Sequence, residues 1–372
     1  MSEKRNALIT VCFFCTIMLL FTIADFFTKD RIFSENENRV LASKPKATKE
    51  TLLSGKYMEE YEDYVTDQFI SRDTFIMIKT WGDIYLQKRA INGVYLSKDD
   101  YLIEQHLEED IDKQKVADKI ALLQALLEDY DGKVMLVPTA DNILSDKLPV
   151  NAIYYDQKEL LQQVEEAVST ERVIDVYGVL EEHTEEYIYY RTDHHWTSLG
   201  AYYAYRQWAV SLKRIPYRLD LDNTVVVTED FLGTLHSKVN IDVEADSIFM
   251  FPETTRRPVS IVYDFQAKSQ SFYEEKYLET KNKYGYFLDD THAFMEIETQ
   301  YPNGRVLFLI KDSYANSFIP LLMPHYEKIY VVDLRYYHNS LYDLIEQSTQ
   351  NEKFDLLVLY NCIHFIEEFQ YY

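Results

Sequence analysis

The fold is indicated most clearly by the segment VLFLIKDSYANS, which runs from Val306 to Ser317. The apolar run Val306 to Ile310 predicts a buried strand, and a helix is predicted from about Ser313 to Met323. Ser313 therefore lies where a strand gives way to a helix. Free backbone N–H groups at such a junction can stabilise a negatively charged oxygen. A serine in this position can also simply cap the helix, and its own residue type leaves both roles open.

The same alternation continues to the C-terminus. Ile329 to Val332 and Leu356 to Leu359 are predicted as further buried strands, with a helix from about Ser340 to Gln347 between them. Strand-helix-strand-helix-strand indicates parallel strands joined by right-handed crossovers. Ligands of such sheets bind beyond the carboxyl ends of the strands. That edge is expected to collect Ser313, Thr139, Asp333, Arg335 and Asn361.

Upstream patterns predict more of this α/β architecture. The expected elements are helices in Leu52–Leu86, Val116–Leu127, Leu160–Val168 and Ser198–Leu212, with strands at Val134–Val137 and Val173–Val176. Thr197 or Ser198 is expected to cap the helix that begins near Ser198. Residues from about 219 to 300 alternate short β-rich pieces with turns. They are predicted to form an inserted region.

A second informative stretch is YYRTDHHWTSLG, from Tyr189 to Gly200. It places Asp193 two residues before His195, the order needed when one short segment supplies both a base and the carboxylate that orients it. Asp193, His194 and His195 could instead bind a metal ion, or form only a satisfied polar turn. Consecutive histidines rarely point at one ion, and no His-x-x-x-His pair accompanies them. No metal is therefore predicted.

These two segments belong to an ordered series of motifs. The others are Ser34–Leu41 followed by Pro45, Asp67-Gln68-Phe69 with Arg72-Asp73, Asn92–Leu96, Val137-Pro138-Thr139 and Phe231–Leu235. Lys311–Tyr314, inside the first segment, completes the series. In this series the chain resembles the DHHW family, relatives of the alginate O-acetylation proteins and of SGNH hydrolases. The resemblance covers nearly the whole chain and implies an SGNH-hydrolase-like sheet with flanking helices.

The resemblance also implies roles for residues. Ser313 would be the nucleophile, His195 the base and Asp193 its partner, without a cofactor. Asp312 is expected to be a structural carboxylate, His194 to make a structural hydrogen bond and Trp196 to belong to the core. The candidates for substrate or oxyanion contacts are Lys311, Tyr314, Asn316, Arg335, Thr139, His194 and Trp196.

The reaction expected from this resemblance is O-acyl transfer or acetyl-ester hydrolysis on an exopolysaccharide or cell-wall glycan, through an acyl-serine intermediate. In related systems such a protein works beside a multi-pass membrane acyltransferase that delivers acetyl groups outward. The alternative is a non-catalytic glycan-binding or assembly protein that keeps the fold.

Charge and hydropathy indicate which partners the protein has and where in the cell it is located. The formal net charge of -24 argues against a nucleic-acid partner, because phosphates would be repelled. Ala7 to Ala24 carries no charge and follows Lys4 and Arg5, which predicts a membrane anchor with everything after Asp25 outside. A cleaved signal peptide is the rival, although Ile23-Ala24-Asp25-Phe26 is a poor cleavage site.

The predicted domains follow from this anchor: residues 1–30 form the cytoplasmic tail and anchor, 31–50 a linker, and 51–372 an extracytoplasmic domain. Cys12 and Cys15 fall inside the apolar segment, which leaves Cys362 alone in the exported part. Neither a disulfide within that part nor a cysteine-based zinc site is therefore expected. Val11 and Phe14 precede the two apolar-segment cysteines, so neither fits a lipid-attachment motif.

Overall fold

The computed structural model describes residues 2–34, 39–350 and 352–371. Residues 35–38 of the expected Ser34–Leu41 motif lie outside the described residues. The chain divides into two compact units: one comprises residues 1–88 with 239–241, and the other comprises 89–238 with 242–372.

The first unit is mainly helical. Its helices are α1 (Ser2–Phe27), α2 (Lys49–Leu53), α3 (Lys56–Gln68) and α4 (Arg72–Tyr85), and its strands are β1 (Phe33–Ser34) and β2 (Arg39–Val40). The helical segment predicted over Leu52–Leu86 is thus broken into pieces. Gly55 interrupts it with a positive φ of 81°, which a glycine adopts without strain, and Ser71 with a φ of 56°. Within α1, Lys4 to Asp25 is long and apolar enough to cross a membrane.

The second unit contains the remaining elements. Its strands are β3 (Ala90–Ile91), β4 (Val94–Leu96), β5 (Leu102–Glu104), β6 (Gly132–Val137), β7 (Val225–Phe231), β8 (Asp246–Met250), β9 (Val259–Tyr263), β10 (Ala267–Ser269), β11 (Phe294–Thr299), β12 (Val306–Lys311), β13 (Lys328–Val332) and β14 (Phe354–Asn361). Its α-helices are α5 (Lys113–Asp129), α6 (Ala140–Ile143), α7 (Gln157–Val168), α8 (Tyr177–Glu181), α9 (Ser198–Ser211), α10 (Thr234–Val239), α11 (Ala315–Leu322), α12 (Leu341–Thr349) and α13 (Cys362–Glu368). Short 3-10 turns connect several of them.

A seven-stranded sheet in the order β10-β9-β11-β13-β12-β14-β6 is the centre of this unit. β13, β12, β14 and β6 are parallel, so their carboxyl ends meet at one edge, as the strand-helix alternation predicts. The mixed α/β fold predicted from sequence is confirmed.

Both faces of the parallel strands are buried, which explains their uninterrupted apolar runs. Successive side chains of a strand point to opposite faces. In β12, Leu307 and Leu309 join the core shared with α9 and α11. Phe308 and Ile310 join the core on the other face, shared with α5, α7, α12 and α13. Helices therefore cover the sheet on both sides and leave the carboxyl edge for polar groups.

Two predictions about strands need correction. Val173 to Val176 is not a strand of the sheet; only an isolated parallel bridge joins Val173 to Val134. In the region from about 219 to 300, the strands β9, β10 and β11 extend the central sheet by antiparallel pairing. That part of the region is integral to the sheet, and only β7 and β8 pair separately from it.

Candidate active site

Ser313 lies just beyond β12, at the carboxyl edge of the sheet. The helix that follows begins at Ala315, and no side-chain hydrogen bond caps its first turn. Ser313 is therefore not a helix cap, which removes the simpler of the two roles that its sequence position allowed. Its hydroxyl faces a histidine instead.

His195 connects Ser313 to a carboxylate. The Nε2 atom of His195 lies 2.8 Å from Ser313 Oγ, and its Nδ1 atom lies 2.5 Å from Asp193 Oδ1. A carboxylate can only accept, so Nδ1 carries the proton and Nε2 is left to accept from the serine hydroxyl. The three residues that the sequence singled out are thus brought into one chain of hydrogen bonds.

The short Asp193–His195 segment is held by its own turn and by the loop after β7. The N–H of His195 donates to Asp193 Oδ1 at 3.0 Å, so the carboxylate fixes both the ring and the backbone of its partner. Asp193 Oδ2 accepts from the N–H and the hydroxyl of Thr234, at 2.9 and 3.0 Å. A Cβ atom on Gly233 would come within 2.3 Å of Asp193 Cβ. The close approach explains the glycine of the Phe231–Leu235 motif.

The electrostatics keep Asp193 ionised. Burial raises the pKa of Asp193, but the adjacent imidazoles and the hydrogen bonds from His195 and Thr234 outweigh it and hold the pKa well below its usual range. Burial, followed by repulsion from His195, lowers the pKa of His194 to about 3. At neutral pH His194 is therefore uncharged.

His194 forms the structural hydrogen bond that was expected of it. Its Nδ1 lies 2.8 Å from Thr234 Oγ1, whose own proton goes to Asp193, so Nδ1 of His194 is the donor. The remaining nitrogen, Nε2, is then an unprotonated acceptor. Because His194 also lines the cavity beside the site, that atom is available to a hydroxyl group of a substrate.

Tyr284, which sequence reasoning missed, covers the catalytic histidine candidate. Its ring stacks on His195 at a centroid distance of 3.8 Å and an interplanar angle of 13°. Its hydroxyl donates to the carbonyl oxygen of Ser313 at 3.0 Å. Tyr284 therefore fixes the ring plane of His195 and the backbone of Ser313 together.

A cavity of about 260 Å³ is lined by His194 and Tyr314, the chain neighbours of His195 and Ser313. Thr139 and Asn361, at the ends of two other strands, also line it, as does His364. Glu104, His106, Asp110, Asp141 and Glu367 supply further charged or ionisable groups. The carboxyl edge of the sheet thus carries both the candidate nucleophile and a space for a ligand.

Asp312 does not compete for His195. It is fully buried and accepts from the backbone N–H groups of Tyr314 and Asn361, both at 2.9 Å. Its Oδ2 also accepts from His364 Nδ1 at 3.0 Å. This is the structural role expected of Asp312. This bond fixes His364, a histidine that the sequence patterns do not single out, at the edge of the cavity.

Three of the predicted contact residues, Lys311, Asn316 and Arg335, already take part in one buried network of polar contacts. The Lys311 ammonium bonds to Asn316 Oδ1 at 2.9 Å and to Asp333 Oδ2 at 3.3 Å. Arg335 makes a two-point pair with Asp333, at 2.9 and 2.6 Å. Lys311 and Asn316 are buried and do not line the cavity. A substrate contact by either would require these bonds to break.

The other predicted contacts divide between core and cavity. Trp196 is fully buried and donates through Nε1 to the carbonyl of Tyr314 at 2.8 Å, so it belongs to the core. Tyr314 lines the cavity with its hydroxyl bound to the carbonyl of His194. Thr139 lines it too, but its hydroxyl donates to Asp141 Oδ1 at 2.6 Å.

The metal alternative has a geometric basis. Asp193, His194 and His195 each offer a ligand atom, and these atoms all lie within 4.8 Å of one another. Both nitrogens of His195, however, already have partners in Asp193 and Ser313. If His195 bound a metal ion, it would lose its hydrogen bond to either Asp193 or Ser313.

Sequence reasoning missed four contributors to the site: Gly233, Thr234, Tyr284 and His364. Gly233 and Thr234 lie in the Phe231–Leu235 motif, whose sequence does not reveal their contacts with Asp193. Tyr284 and His364 had no local signal, since each acts through a contact with a residue far away in the chain.

Comparisons with known proteins agree with this fold. A sequence model of the family described as "DHHW protein" matches residues 88–332. A DHHW family protein from Eubacterium siraeum has a similar structure, with 26% identity and a TM-score of 0.63 over 74% of this chain and 93% of that one. PatB1 of Bacillus cereus, solved with a sulfonyl adduct, is also similar, with 21% identity and a TM-score of 0.59 over 74% of this chain and 97% of that one.

The O-acetyltransferase domain of Pseudomonas putida AlgJ is a more distant match, with 13% identity and a TM-score of 0.46 over 74% of this chain and 92% of that one. Comparison with curated proteins gave no match. The family match covers well over half of the chain and includes the Asp193–His195 segment. This protein therefore belongs to the DHHW family.

Proposed function

We propose that the protein is a membrane-anchored extracytoplasmic O-acyltransferase or acetylesterase that modifies a glycan through an acyl-Ser313 intermediate. The observation that carries the proposal is the continuous chain Ser313–His195–Asp193, with distances of 2.8 and 2.5 Å. A serine hydroxyl is a weak nucleophile until a neighbouring base takes its proton, and this geometry supplies one.

In the first half of the reaction, Ser313 Oγ attacks the carbonyl carbon of an acyl donor while His195 Nε2 takes the hydroxyl proton. The ionised Asp193 stabilises the resulting imidazolium. The leaving group departs with that proton, and the acyl group stays on Ser313. In the second half, a sugar hydroxyl or water gives its proton to His195 and attacks the acyl carbon, and Ser313 recovers its proton.

The developing oxyanion needs hydrogen-bond donors near Ser313. The N–H of Ser313 itself forms no hydrogen bond within the described residues, which leaves it for this role. The Asn361 side chain is the second candidate: its oxygen accepts from the His364 N–H at 2.8 Å, so its amide NH₂ group remains for a ligand in the cavity that it lines.

The cavity beside the site supports a carbohydrate acceptor. It offers the His194 acceptor nitrogen, the Asn361 amide and several carboxylates within about 260 Å³. Sugar hydroxyls both donate and accept, so such a mixed polar lining suits them. The choice of an acetyl group, an exopolysaccharide or cell-wall glycan and a multi-pass membrane acyltransferase as donor partner follows the family resemblance.

The direct test is acyl-enzyme formation with a small activated acetyl ester. Purified protein mixed with p-nitrophenyl acetate and quenched with acid should carry one acetyl group, on the peptide that contains Ser313. A sulfonyl fluoride should label the same residue and block the acetylation.

Ser313→Ala is the matched control, because it removes one oxygen atom and should remove both labels. Acetylation that persists at an equal rate in Ser313→Ala, or that maps to another residue, would contradict the proposed nucleophile. A non-catalytic glycan-binding protein would show neither label.

A further inference from the structure

Helix α4 presents an apolar face to its surroundings. Ile78, Trp81 and Tyr85 are 57%, 54% and 88% exposed, and Phe75 precedes them in the same stripe. Their spacing of three, three and four residues places them on one side of the helix. Contiguous apolar surface of this kind marks an interaction site.

The stripe begins where the apolar helix α1 ends. The Phe21 ring lies 5.6 Å from the Phe75 ring and 5.8 Å from the Phe69 ring. Asp25, the last residue of the apolar span, accepts a hydrogen bond from the N–H of Ile70 at 3.0 Å. The turn between α3 and α4 is therefore fastened to the end of α1.

Further contacts hold the segment after α1 to the same helices. Arg31 pairs with Asp73 of α4 at 3.0 Å, and Asp30 accepts from the Tyr64 hydroxyl of α3 at 3.0 Å. The position of α4 is therefore fixed relative to the end of the span.

The length of α1 indicates where the apolar face of α4 lies relative to a bilayer. The span Lys4–Asp25 has 22 residues, which at about 1.5 Å per residue covers roughly the 30 Å thickness of a bilayer's hydrocarbon core. Phe21 then lies one turn below the outer boundary of that core. Phe75, in contact with Phe21, therefore lies close to that boundary, and the stripe continues from it along α4.

The residue types and charge of α4 suit a position near that boundary. Tryptophan and tyrosine are enriched where a bilayer meets water, because their rings are apolar and their N–H or O–H groups are not. α4 carries two basic residues, Arg72 and Lys79, and two acidic ones, Asp73 and Asp83. The helix is thus neutral and is not repelled by headgroups, despite the net charge of -24 of the whole chain.

We infer that the exposed stripe of α4, formed by Phe75, Ile78, Trp81 and Tyr85, lies in the outer lipid–water interface as a second membrane contact beside the α1 span. The stripe contacts the zone between the lipid headgroups and the acyl chains, as other interfacial helices with one apolar side do.

Tryptophan fluorescence tests this placement, because the sequence has three tryptophans and Trp196 and Trp208 are fully buried in the second unit. The full-length chain is reconstituted in phosphatidylcholine vesicles, with and without lipids brominated near the headgroup end of the acyl chains. The spectrum of the wild type minus that of Trp81→Phe isolates Trp81. We expect this difference spectrum to lose more than half of its intensity in brominated vesicles.

Substitutions distinguish membrane contact by the α4 stripe from membrane insertion of α1. Ile78→Glu combined with Tyr85→Glu should leave the chain in the vesicles through α1 but greatly reduce the quenching of Trp81. Val210→Glu, at an exposed valine of α9, is the matched control and should leave the quenching unchanged. Equal Trp81 intensity in plain and brominated vesicles, a chain that does not float with the vesicles, or a cross-link through α4 to a second copy would each overturn the inference.

Discussion

Asp193 and His195 are two residues apart, whereas Ser313 lies 118 residues beyond His195. The candidate base and its orienting carboxylate therefore come from one short segment, and the candidate nucleophile reaches them only through the fold. Residues that act as such a unit show non-additive losses when they are replaced.

We expect Ser313→Ala to lower acyl transfer by roughly 10⁴-fold or more, and His195→Ala to be nearly as damaging. The double variant should be little worse than either single one. Asp193→Asn should also cost activity, because it favours the wrong ring tautomer. The measurement is acetyl-ester hydrolysis together with the melting temperature.

His194→Ala is the control for this set, since it changes the neighbouring imidazole and should keep much more activity than His195→Ala. Wild-type esterase activity in Ser313→Ala, with an unchanged melting temperature, would show that another residue is the nucleophile.

Gly233 gives a second prediction at the residue scale. A methyl group there meets the Asp193 side chain at 2.3 to 2.7 Å, so Gly233→Ala should push Asp193 away from His195. We expect a loss of stability of about 1–3 kcal/mol, typical of overpacking, and a fall in kcat. Gly178→Ala in α8 has nothing within 4 Å of the added atom and should change neither. Equal behaviour of the two variants would argue against this packing constraint.

The metal alternative is decided by chelation. If Asp193 and His195 serve Ser313, then EDTA should leave hydrolysis unchanged, because no step uses an ion. Activity that falls in chelator and returns with a divalent cation would instead favour a site formed by Asp193, His194 and His195. Acetyl-ester hydrolysis before and after dialysis against the chelator is the measurement.

At the scale of elements, the end of β12 is tied to the start of α13. Asp312 follows β12, and His364 lies in the first turn of α13, 3.0 Å from it. Burial lowers the pKa of His364, but the hydrogen bond and charge of Asp312 outweigh burial and raise it. Burial raises the pKa of Asp312, and the bond to His364 outweighs that and lowers it.

These shifts set the pH range in which the pair stabilises the fold. The His364 contribution is complete below its unfolded pKa of about 6.5 and is lost as pH rises through the folded value. The Asp312 contribution is present above about pH 4 and is lost as pH falls through its folded value. The pair should therefore contribute most between about pH 4 and pH 6.5.

We predict that His364→Asn lowers the free energy of unfolding more at pH 5.5 than at pH 9.5. Asparagine keeps a neutral donor near the position of Nδ1, so the variant mainly removes the charge. Urea unfolding at the two pH values measures this difference. His338→Asn, at an exposed loop histidine, should have little effect at either pH. A loss that is equal at both values for His364→Asn would contradict an ionic contribution.

At the scale of the whole molecule, the apolar span and the acidic remainder predict a definite topology. The full chain should fractionate with membranes, and a protease added to intact cells should digest a C-terminal tag. Lys4 and Arg5 lie at the N-terminal end of the span, which favours a cytoplasmic N-terminus. A C-terminal tag that is degraded only after the cells are opened would contradict this orientation, and release of the processed protein into the medium would indicate a signal peptide.

Features of this protein that depend on local patterns can be predicted from the amino-acid sequence. Apolar runs of four or five residues predicted β12, β13 and β14, and the polar residues shortly after each run predicted the polar edge of the sheet. Asp193 and His195 could be identified as candidates because an aspartate two residues before a histidine can orient its ring within one short segment. The span in α1 was found from composition alone.

The remaining features depend on contacts between distant segments and became visible in the folded chain. The tertiary structure placed β9, β10 and β11 in the central sheet, set Tyr284 on the ring of His195, and brought Gly233 and Thr234 against Asp193. It also removed Lys311 and Asn316 from the cavity by enclosing them in a buried network with Asp333. One cause underlies all of these cases. The hydrophobic periodicity of a segment indicates which of its faces is buried. The residues that cover this face lie far away in the sequence and are determined by packing.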